Sequence, residues 1–301
     1  MGLRIVIALA AALVLGGGIA SGLVLGSGRA GQASGSRLQV VAAENVYGDI
    51  ARQIGGDRVE VASILTDPAA DPHLFEPGTR TGLAVARAAL VVQNGLGYDA
   101  FMDRLEAAAP APLRRVVTVA DALGVHGDAN PHLWYDMPRL DEIAAAVAAG
   151  LEQADPGHAE DYRAGLRRFD ASLAPLRKAV ARIRSRFAGL PVAYTEPVPA
   201  YLVEAAGLTD RTPAAFARGI EEGREPPPGA VSELAALVSQ RRIRVLLYNS
   251  QAASAVTRRL LADARKAGVP VVAVTETLPA GRSFQGWQLA QAQAIERALS
   301  R

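Results

Sequence analysis

The sequence predicts an α/β protein with two parallel-sheet lobes joined by a long rigid helix, and three observations lead to this prediction. Short apolar runs alternate with helical patterns in both halves of the chain, and this alternation is typical of parallel sheets. The middle of the chain, from Pro138 to Phe187, has helical periodicity with little strand signal. The length of 301 residues is enough for two domains.

The strands and helices follow from the period of the apolar residues. Short apolar runs that end in polar or turn residues are typical of buried strands, and they occur at residues 38–43, 59–65, 90–93, 116–119, 191–194, 245–248 and 269–274. Helical spacing occurs at residues 46–54, 80–89, 199–206, 231–240, 252–267 and 284–299. Strands and helices therefore alternate twice, once on each side of the helical middle.

The helical middle separates the two lobes. Asp155-Pro156-Gly157 interrupts the pattern, and a long charged helix is predicted from His158 to Phe187, with Pro175 as a point where it can kink. We therefore predict an N-terminal segment at residues 1–35, a first lobe at 36–156, a connecting helix at 157–188 and a second lobe at 189–301.

The first 35 residues have the composition of a targeting segment. Arg4 precedes an apolar run from Ile5 to Leu25, and a stretch rich in glycine and serine continues through Gly35. A positive start, an apolar centre and small residues afterwards are typical of a secretory signal peptide. About 20 apolar residues can also span a bilayer, so retention as a membrane anchor is the alternative. Both cases predict a globular part outside the cytoplasm, whether secreted, periplasmic or membrane-anchored.

Composition and charge exclude several kinds of site and partner. The chain has no cysteine, which rules out disulfides, thiolate metal sites, cysteine nucleophiles and thioether lipid anchors. The first 33 residues hold Arg4 and Arg29 and no acid, and the remainder has 30 basic and 30 acidic side chains. This balance gives no electrostatic basis for binding nucleic acid.

Two of the four histidines share one local frame, in the tripeptides Asp71-Pro72-His73 and Asn130-Pro131-His132. Proline fixes its own φ and favours an extended residue before it, so this frame predicts a turn. The histidine that follows lies on a loop, where imidazole is a common metal ligand. Either histidine alone could be an ordinary loop residue, but the repeated frame favours metal binding. His126 lies on the same loop as His132 and is a candidate additional ligand.

Two glutamates occupy matching positions in the second lobe. Glu196 and Glu276 each follow a predicted strand, and each comes directly after a threonine. Ligands of open parallel α/β sheets bind at the carboxyl ends of the strands, where His73 and His132 are also predicted to lie. Two imidazoles and two carboxylates could enclose a divalent transition metal in the cleft between the lobes. Taken singly, a glutamate at a strand end is more often a helix cap or a surface charge.

Six segments together resemble one protein family, and they are Glu44-Asn45, Asp71-Pro72-His73-Leu74-Phe75-Glu76-Pro77, Asn94-Gly95-Leu96-Gly97, Asn130-Pro131-His132-Leu133-Trp134, Ala193-Tyr194-Thr195-Glu196 and Val274-Thr275-Glu276-Thr277-Leu278. The family is the metal-binding solute receptors of ABC importers (cluster A-I, or cluster 9), which capture zinc, manganese or iron outside the cell. The resemblance covers about Leu38 to the end. It implies two α/β lobes joined by one long helix, with metal bound between the lobes by His73, His132, Glu196 and Glu276.

Two departures from the family pattern bear on the choice of metal. The family usually has aspartate where this chain has Glu276, and an extra methylene changes the reach of the carboxylate. Many zinc-specific members have a loop rich in histidine and acid before the second ligand, whereas residues 121–129 here contain a single histidine, His126. Two carboxylates also make a harder ligand set than three imidazoles. We expect zinc or manganese as cargo, with a slight preference for manganese in transport and iron(II) as a third candidate.

The resemblance implies a receptor and not an enzyme, with a membrane permease and its ATPase as partners. We expect this receptor to be a monomer. A secreted metalloenzyme such as a hydrolase is the first alternative, but the chain has neither a His-Glu-x-x-His helix nor a Gly-x-Ser-x-Gly elbow. A surface adhesin is the second alternative, and it could coexist with metal binding.

Overall fold

Two parallel β-sheets organise the part of the chain described by the computed structural model, residues 37–67 and 75–301. In chain order, the strands of the first sheet are β1 (Leu38–Glu44), β2 (Val59–Leu65), β3 (Leu90–Gln93) and β4 (Arg115–Thr118). Those of the second are β5 (Pro191–Tyr194), β6 (Thr209–Asp210), β7 (Val245–Asn249) and β8 (Val271–Val274). The spatial orders are β2-β1-β3-β4 and β6-β5-β7-β8, so the two lobes share one topology.

The interior strands are apolar on both faces because helices cover both sides of each sheet. The last five residues of β1 and the whole of β3 and β7 are buried, as is usual for parallel strands. The helices of the first lobe are α1 (Asn45–Gly55), α2 (Thr79–Arg87), α3 (Phe101–Ala108) and α4 (Val119–Ala122). The two-lobe α/β architecture predicted from the sequence is confirmed.

Helices also form the middle and the end of the chain. The middle contains α5 (Leu140–Ala154), α6 (Ala159–Ser172) and α7 (Ala174–Phe187). The second lobe contains α8 (Ala200–Ala205), α9 (Ala214–Glu221), α10 (Pro228–Ser239), α11 (Ala255–Ala267) and α12 (Phe284–Leu299).

The connecting segment differs from the single helix that the periodicity predicts. Leu173 separates α6 from α7, and Pro175 stands in the first turn of α7, where its missing N–H is not needed by the helix. Helix α6 comes unusually close to the end of α1. A Cβ at Gly165 would lie 2.0 Å from the carbonyl oxygen of Ile54, so only glycine allows this approach. The lobe boundaries given above stay predictions.

Buried polar and aromatic contacts join the two lobes. The side chain of Asn45, at the start of α1, donates to the carbonyl of Leu278 and accepts from its N–H, both at 2.8 Å. The ring of Tyr135 packs edge-on to Trp287, with centroids 5.7 Å apart, and its hydroxyl donates to the carbonyl oxygen of Thr275 at 2.6 Å. These contacts fix the strand ends of the two sheets relative to each other.

Two of the sequence predictions fall outside the described residues. These are the N-terminal targeting segment, residues 1–35, and the first histidine frame, which contains His73. Within residues 37–67 and 75–301, no helix combines the length and the apolar composition that crossing a membrane requires.

Candidate metal centre

His132 reaches the interior because its Asn-Pro-His frame folds into a tight turn. The side-chain oxygen of Asn130 accepts from the backbone N–H of His132 at 3.1 Å and lies 2.7 Å from its Nδ1. The imidazole is fully buried and packs edge-on to Tyr98 and Trp134, at centroid distances of 5.6 and 5.4 Å. Because Nδ1–H donates to Asn130, the neutral ring presents Nε2 as its ligand atom.

Nε2 of His132 points toward the glutamates at the ends of β5 and β8. Glu196 and Glu276 each lie two residues beyond their strand and are 0% and 1% exposed. Nε2 of His132 lies 3.4 Å from Oε2 of Glu276. Two ligand atoms bound to one tetrahedral ion by bonds of about 2.05 Å are separated by about 3.3 Å. The nitrogen and the oxygen therefore have the spacing of two ligands of a single metal ion.

Asn249 connects the two carboxylates. Strand β7 lies between β5 and β8 in the sheet, so its last residue, Asn249, falls between Glu196 and Glu276. The Asn249 Nδ2 group donates to Oε1 of Glu276 at 2.7 Å and also to Oε2 of Glu196. The amide is fully buried and thus offsets part of the negative charge of both acids.

Tyr98 covers the carboxylate of Glu276 from the first lobe. Its hydroxyl donates to Oε2 of Glu276 at 2.8 Å, and burial together with Glu276 and Glu44 raises the pKa of Tyr98 well above its usual value. Tyr98 therefore remains a protonated donor. It is positioned by the preceding turn, in which Gly95, Leu96 and Gly97 have successive φ values of 85°, 55° and 80°.

The charge of His132 depends on the acids around it. Burial by itself would lower the pKa of His132, but Glu221, Glu276 and Glu196 outweigh burial and raise the pKa above its ordinary value. Oε2 of Glu221 lies 3.9 Å from Nδ1 of His132 and finds no hydrogen-bond donor among the described residues. A metal ion bound at Nε2 would have to displace a proton that these carboxylates stabilise.

A cleft between the lobes leads to this centre. It has a volume of about 570 Å³, and its lining includes Tyr98 and Pro131 from the first lobe and Pro197 and Glu221 from the second. Tyr98 contacts both the cleft and Glu276. Tyr98 therefore links the lining of the cleft to the carboxylate of Glu276.

A second pair of acids lies behind the centre at the strand ends of the first lobe. Glu44 ends β1 with 2% exposure, and neither of its carboxyl oxygens has a donor within the described part of the chain. Burial and the adjacent Asp99 raise the pKa of Glu44 well above its usual value. Burial also raises the pKa of Asp99, but the N–H groups of Asn94 and Gly95, from which its carboxylate accepts, oppose that shift.

The predicted ligands that can be located lie close together. His132 and Glu276 form a direct pair, and Glu196 joins them through Asn249. Within residues 37–67 and 75–301, no three histidine, aspartate or glutamate side chains already form a group that could hold a metal ion. His73 lies outside these residues, and His126 is exposed on the surface.

Sequence reasoning missed three residues of the centre. Asn249 stands at a strand end, the same signal that identified the glutamates, but an amide is not the usual ligand sought there. Tyr98 follows a turn whose glycines were recognised without the role of the tyrosine. Glu221 ends α9, far from His132 in the chain, and no spacing or motif predicts their contact.

Known proteins match this chain over most of its length. A family model described as zinc-uptake complex component A, periplasmic, matches residues 40–298. The chain is similar to the manganese ABC transporter substrate-binding lipoprotein PsaA of Streptococcus mitis, with 26% identity over 242 residues, or 74% of this chain and 76% of the relative. It is also similar to the iron-binding protein YfeA of Yersinia pestis, with 27% identity over 157 residues, or 49% of this chain and 50% of the relative.

The fold agrees with these matches. The periplasmic zinc-binding protein TroA of Treponema pallidum superposes with a TM-score of 0.74 at 20% identity, covering 88% of this chain and 100% of that protein. The family match extends from β1 into α12, and so includes both sheets and every described residue of the centre. This chain therefore belongs to the family of periplasmic zinc-uptake complex component A proteins.

Proposed function

We propose that this protein is the extracytoplasmic receptor of an ABC importer and that it binds one divalent transition metal ion between its lobes. The ligands are His73, His132, Glu196 and Glu276. The metal ion is the cargo, which the receptor delivers to a membrane permease powered by a cytoplasmic ATPase. The protein acts outside the cytoplasm as a monomer, either released from its N-terminal segment or anchored by it.

One observation carries this proposal: the buried pair of His132 and Glu276. Nε2 of the imidazole and Oε2 of the carboxylate are 3.4 Å apart, which suits two ligands of one ion. The pair lies at the carboxyl ends of parallel strands, where α/β proteins bind ligands. Nitrogen and oxygen donors without sulfur fit zinc, manganese and iron(II).

The burial of the centre favours a receptor over a hydrolase. A catalytic metal ion keeps a coordination position open to water or substrate. Here His132, Glu196 and Glu276 are each at most 1% exposed, and Tyr98 covers Glu276. Such enclosure suits capture and delivery of an ion better than turnover of a substrate. A role as a surface adhesin would not depend on this centre.

The cargo is zinc or manganese, with iron(II) as a third candidate. The names of the relatives given above include manganese and iron, and the family description names zinc. Zinc binds nitrogen and oxygen ligands more tightly than manganese in general. We therefore expect both ions to bind, with zinc at least as tight in vitro, and in vitro affinity alone does not identify the ion that the cell imports.

Calorimetry on protein stripped of metal tests the proposal. The protein is purified without a histidine tag and titrated separately with zinc, manganese and iron(II). We expect one site per chain and a rise in melting temperature, because an ion that binds only the folded state stabilises it by mass action. Absence of binding of all three ions would refute the receptor function.

A further inference from the structure

A cavity lined by arginine lies at the edge of the second sheet opposite the candidate metal centre. Its volume is about 530 Å³, and its wall includes Arg244 and Pro270, which directly precede β7 and β8. Because β7 and β8 are parallel, this is the edge of their amino ends, whereas Glu276 follows the carboxyl end of β8. A strand of about five residues separates the two edges by about 15 Å. The cavity is therefore not an extension of the metal centre.

Positive charge dominates this cavity. Its wall contains no acidic residue but includes four arginines, which are Arg241, Arg244, Arg265 and Arg301. None of the four forms an ion pair with another residue in the described ranges 37–67 and 75–301. The single acid of α12, Glu296, is held instead by Arg182 and Arg186, at 3.0 and 3.2 Å. The charge of the cavity is thus not neutralised by the protein's own carboxylates.

Helix ends account for only part of this positive charge. Helices α10, α11 and α12 all end beside the cavity, and the carboxyl end of a helix carries about half a negative charge. Arg241 meets one of these ends, because its Nε donates to the carbonyl oxygen of Ala267. Three helix ends balance about one and a half of the four guanidinium charges. The side chains of Arg244 and Arg265 form no hydrogen bond within the described part of the chain, so they are available to a ligand.

We infer that this cavity binds an anion that carries a phosphate group. Arginine presents a planar fork of N–H donors that matches the oxygens of phosphate, and it keeps its charge at physiological pH. Several guanidinium groups around one cavity favour an anion with more than one negative charge over a single carboxylate. The volume lies in the range of small-molecule sites, which leaves space for the group that the phosphate is attached to. This site does not depend on the metal ion or on the proposed receptor function.

Two probes distinguish the sources of such a phosphate group. Inorganic pyrophosphate represents a soluble phosphate compound, and glycerophosphoglycerol represents the headgroup of an anionic phospholipid. Calorimetry on the full chain measures the binding of each, with the protein first stripped of metal because pyrophosphate chelates metal ions. We expect one site per chain for at least one probe and weaker binding as ionic strength rises. Glycerophosphoglycerol bound at least as tightly as pyrophosphate assigns the site to a lipid headgroup, and the reverse order assigns it to a soluble phosphate.

A double variant with a matched control tests the position of the site. Arg244→Ala combined with Arg265→Ala removes two guanidinium groups from the wall and should weaken binding of the tighter probe at least about 10-fold, as expected for lost charge-assisted hydrogen bonds. Arg167→Ala combined with Arg168→Ala is the control, because both residues are exposed on α6 outside the cavity and the change in net charge is the same. The control should bind the probe like the wild type, and both double variants should bind zinc like the wild type.

Three results would overturn the inference. The first is a wild type that binds neither probe, and the second is wild-type affinity in the variant that lacks Arg244 and Arg265. The third is an equal loss in both double variants, which would show attraction to the overall charge of the protein and not to this cavity. If the first double variant does not fold, Arg265→Ala alone replaces it, because Arg265 is exposed in the last turn of α11, and unchanged affinity in that variant would contradict the site.

Discussion

Lower pH should weaken zinc binding because a proton competes with the ion for His132. Burial lowers the pKa of this imidazole, but Glu221, Glu276 and Glu196 outweigh burial, so the net shift is upward. The folded, metal-free protein therefore binds this proton more tightly than the unfolded chain does. The resulting stabilisation of the metal-free protein is fully present below the unfolded pKa of about 6.5 and is lost as pH rises through the higher folded pKa.

Glu221→Gln isolates the charge of Glu221, the largest single cause that raises the pKa of His132. Oε2 of Glu221 lies 3.9 Å from Nδ1 of His132, and the Glu221 side chain is 18% exposed. Unit charges at this distance interact by about 1 kcal/mol in water and about 4 kcal/mol at an effective dielectric constant of about 20. Because the side chain is partly exposed, we work with the lower figure. The ratio of zinc affinity at about pH 8 to that at about pH 5.5 should then fall about fivefold in the variant.

Competition titrations with a chromogenic chelator at the two pH values measure this ratio. Glu222→Gln is the matched control, because Glu222 adjoins Glu221 but is exposed and paired with Arg224. It removes the same charge from the same end of α9 and should leave the ratio unchanged. If Glu221→Gln and wild type give the same ratio, the assignment of the raised pKa of His132 to Glu221 is wrong.

Three further predictions have defined outcomes, the first of them with a control substitution. His132→Ala should lower zinc affinity by more than about 100-fold, since the loss of a ligand exceeds the loss of a residue that orients one. His158→Ala is the control and should have no effect in the same titration, because His158 lies at a helix start with a 39% exposed side chain. Asn45→Ala leaves the N–H and carbonyl of Leu278 without their partner, and urea denaturation should show a loss of about 2 kcal/mol. Glu44→Gln should stabilise the protein at neutral pH, because the raised pKa of Glu44 makes its ionisation costly there. Thermal unfolding measured across pH should show that this gain vanishes below the usual pKa of 4.5.

The architecture could be predicted because the strands are short apolar runs with turn residues at both ends. One described strand that the pattern missed lacks such an apolar run. Strand β6 consists of Thr209 and Asp210, which form no apolar run, so the pattern gave no sign of it. The interruption at Leu173 lies two residues before Pro175, the point where the sequence analysis placed a possible kink, and Pro175 fits the first turn of α7.

The candidate centre could be predicted only in part. Strand ends identified Glu196 and Glu276, and the shared turn frame identified His132, because these signals are local in the chain. The contact of Glu221 with His132 depends on how α9 packs across the cleft, which no local pattern encodes. The bridging position of Asn249 depends on the order of strands in the sheet, since β7 lies between β5 and β8 only once the topology is known.

The central claim is that one metal ion binds between the lobes through histidine and glutamate ligands. Its most direct test is the metal content of protein equilibrated with zinc and then freed of unbound ion, measured by mass spectrometry of the elements. We predict one zinc ion per wild-type chain and loss of that ion in the double variant His132→Ala, Glu276→Ala, with folding checked by circular dichroism. Retention of one tightly bound ion per chain by the folded double variant would contradict the claim, as would a wild type that holds none.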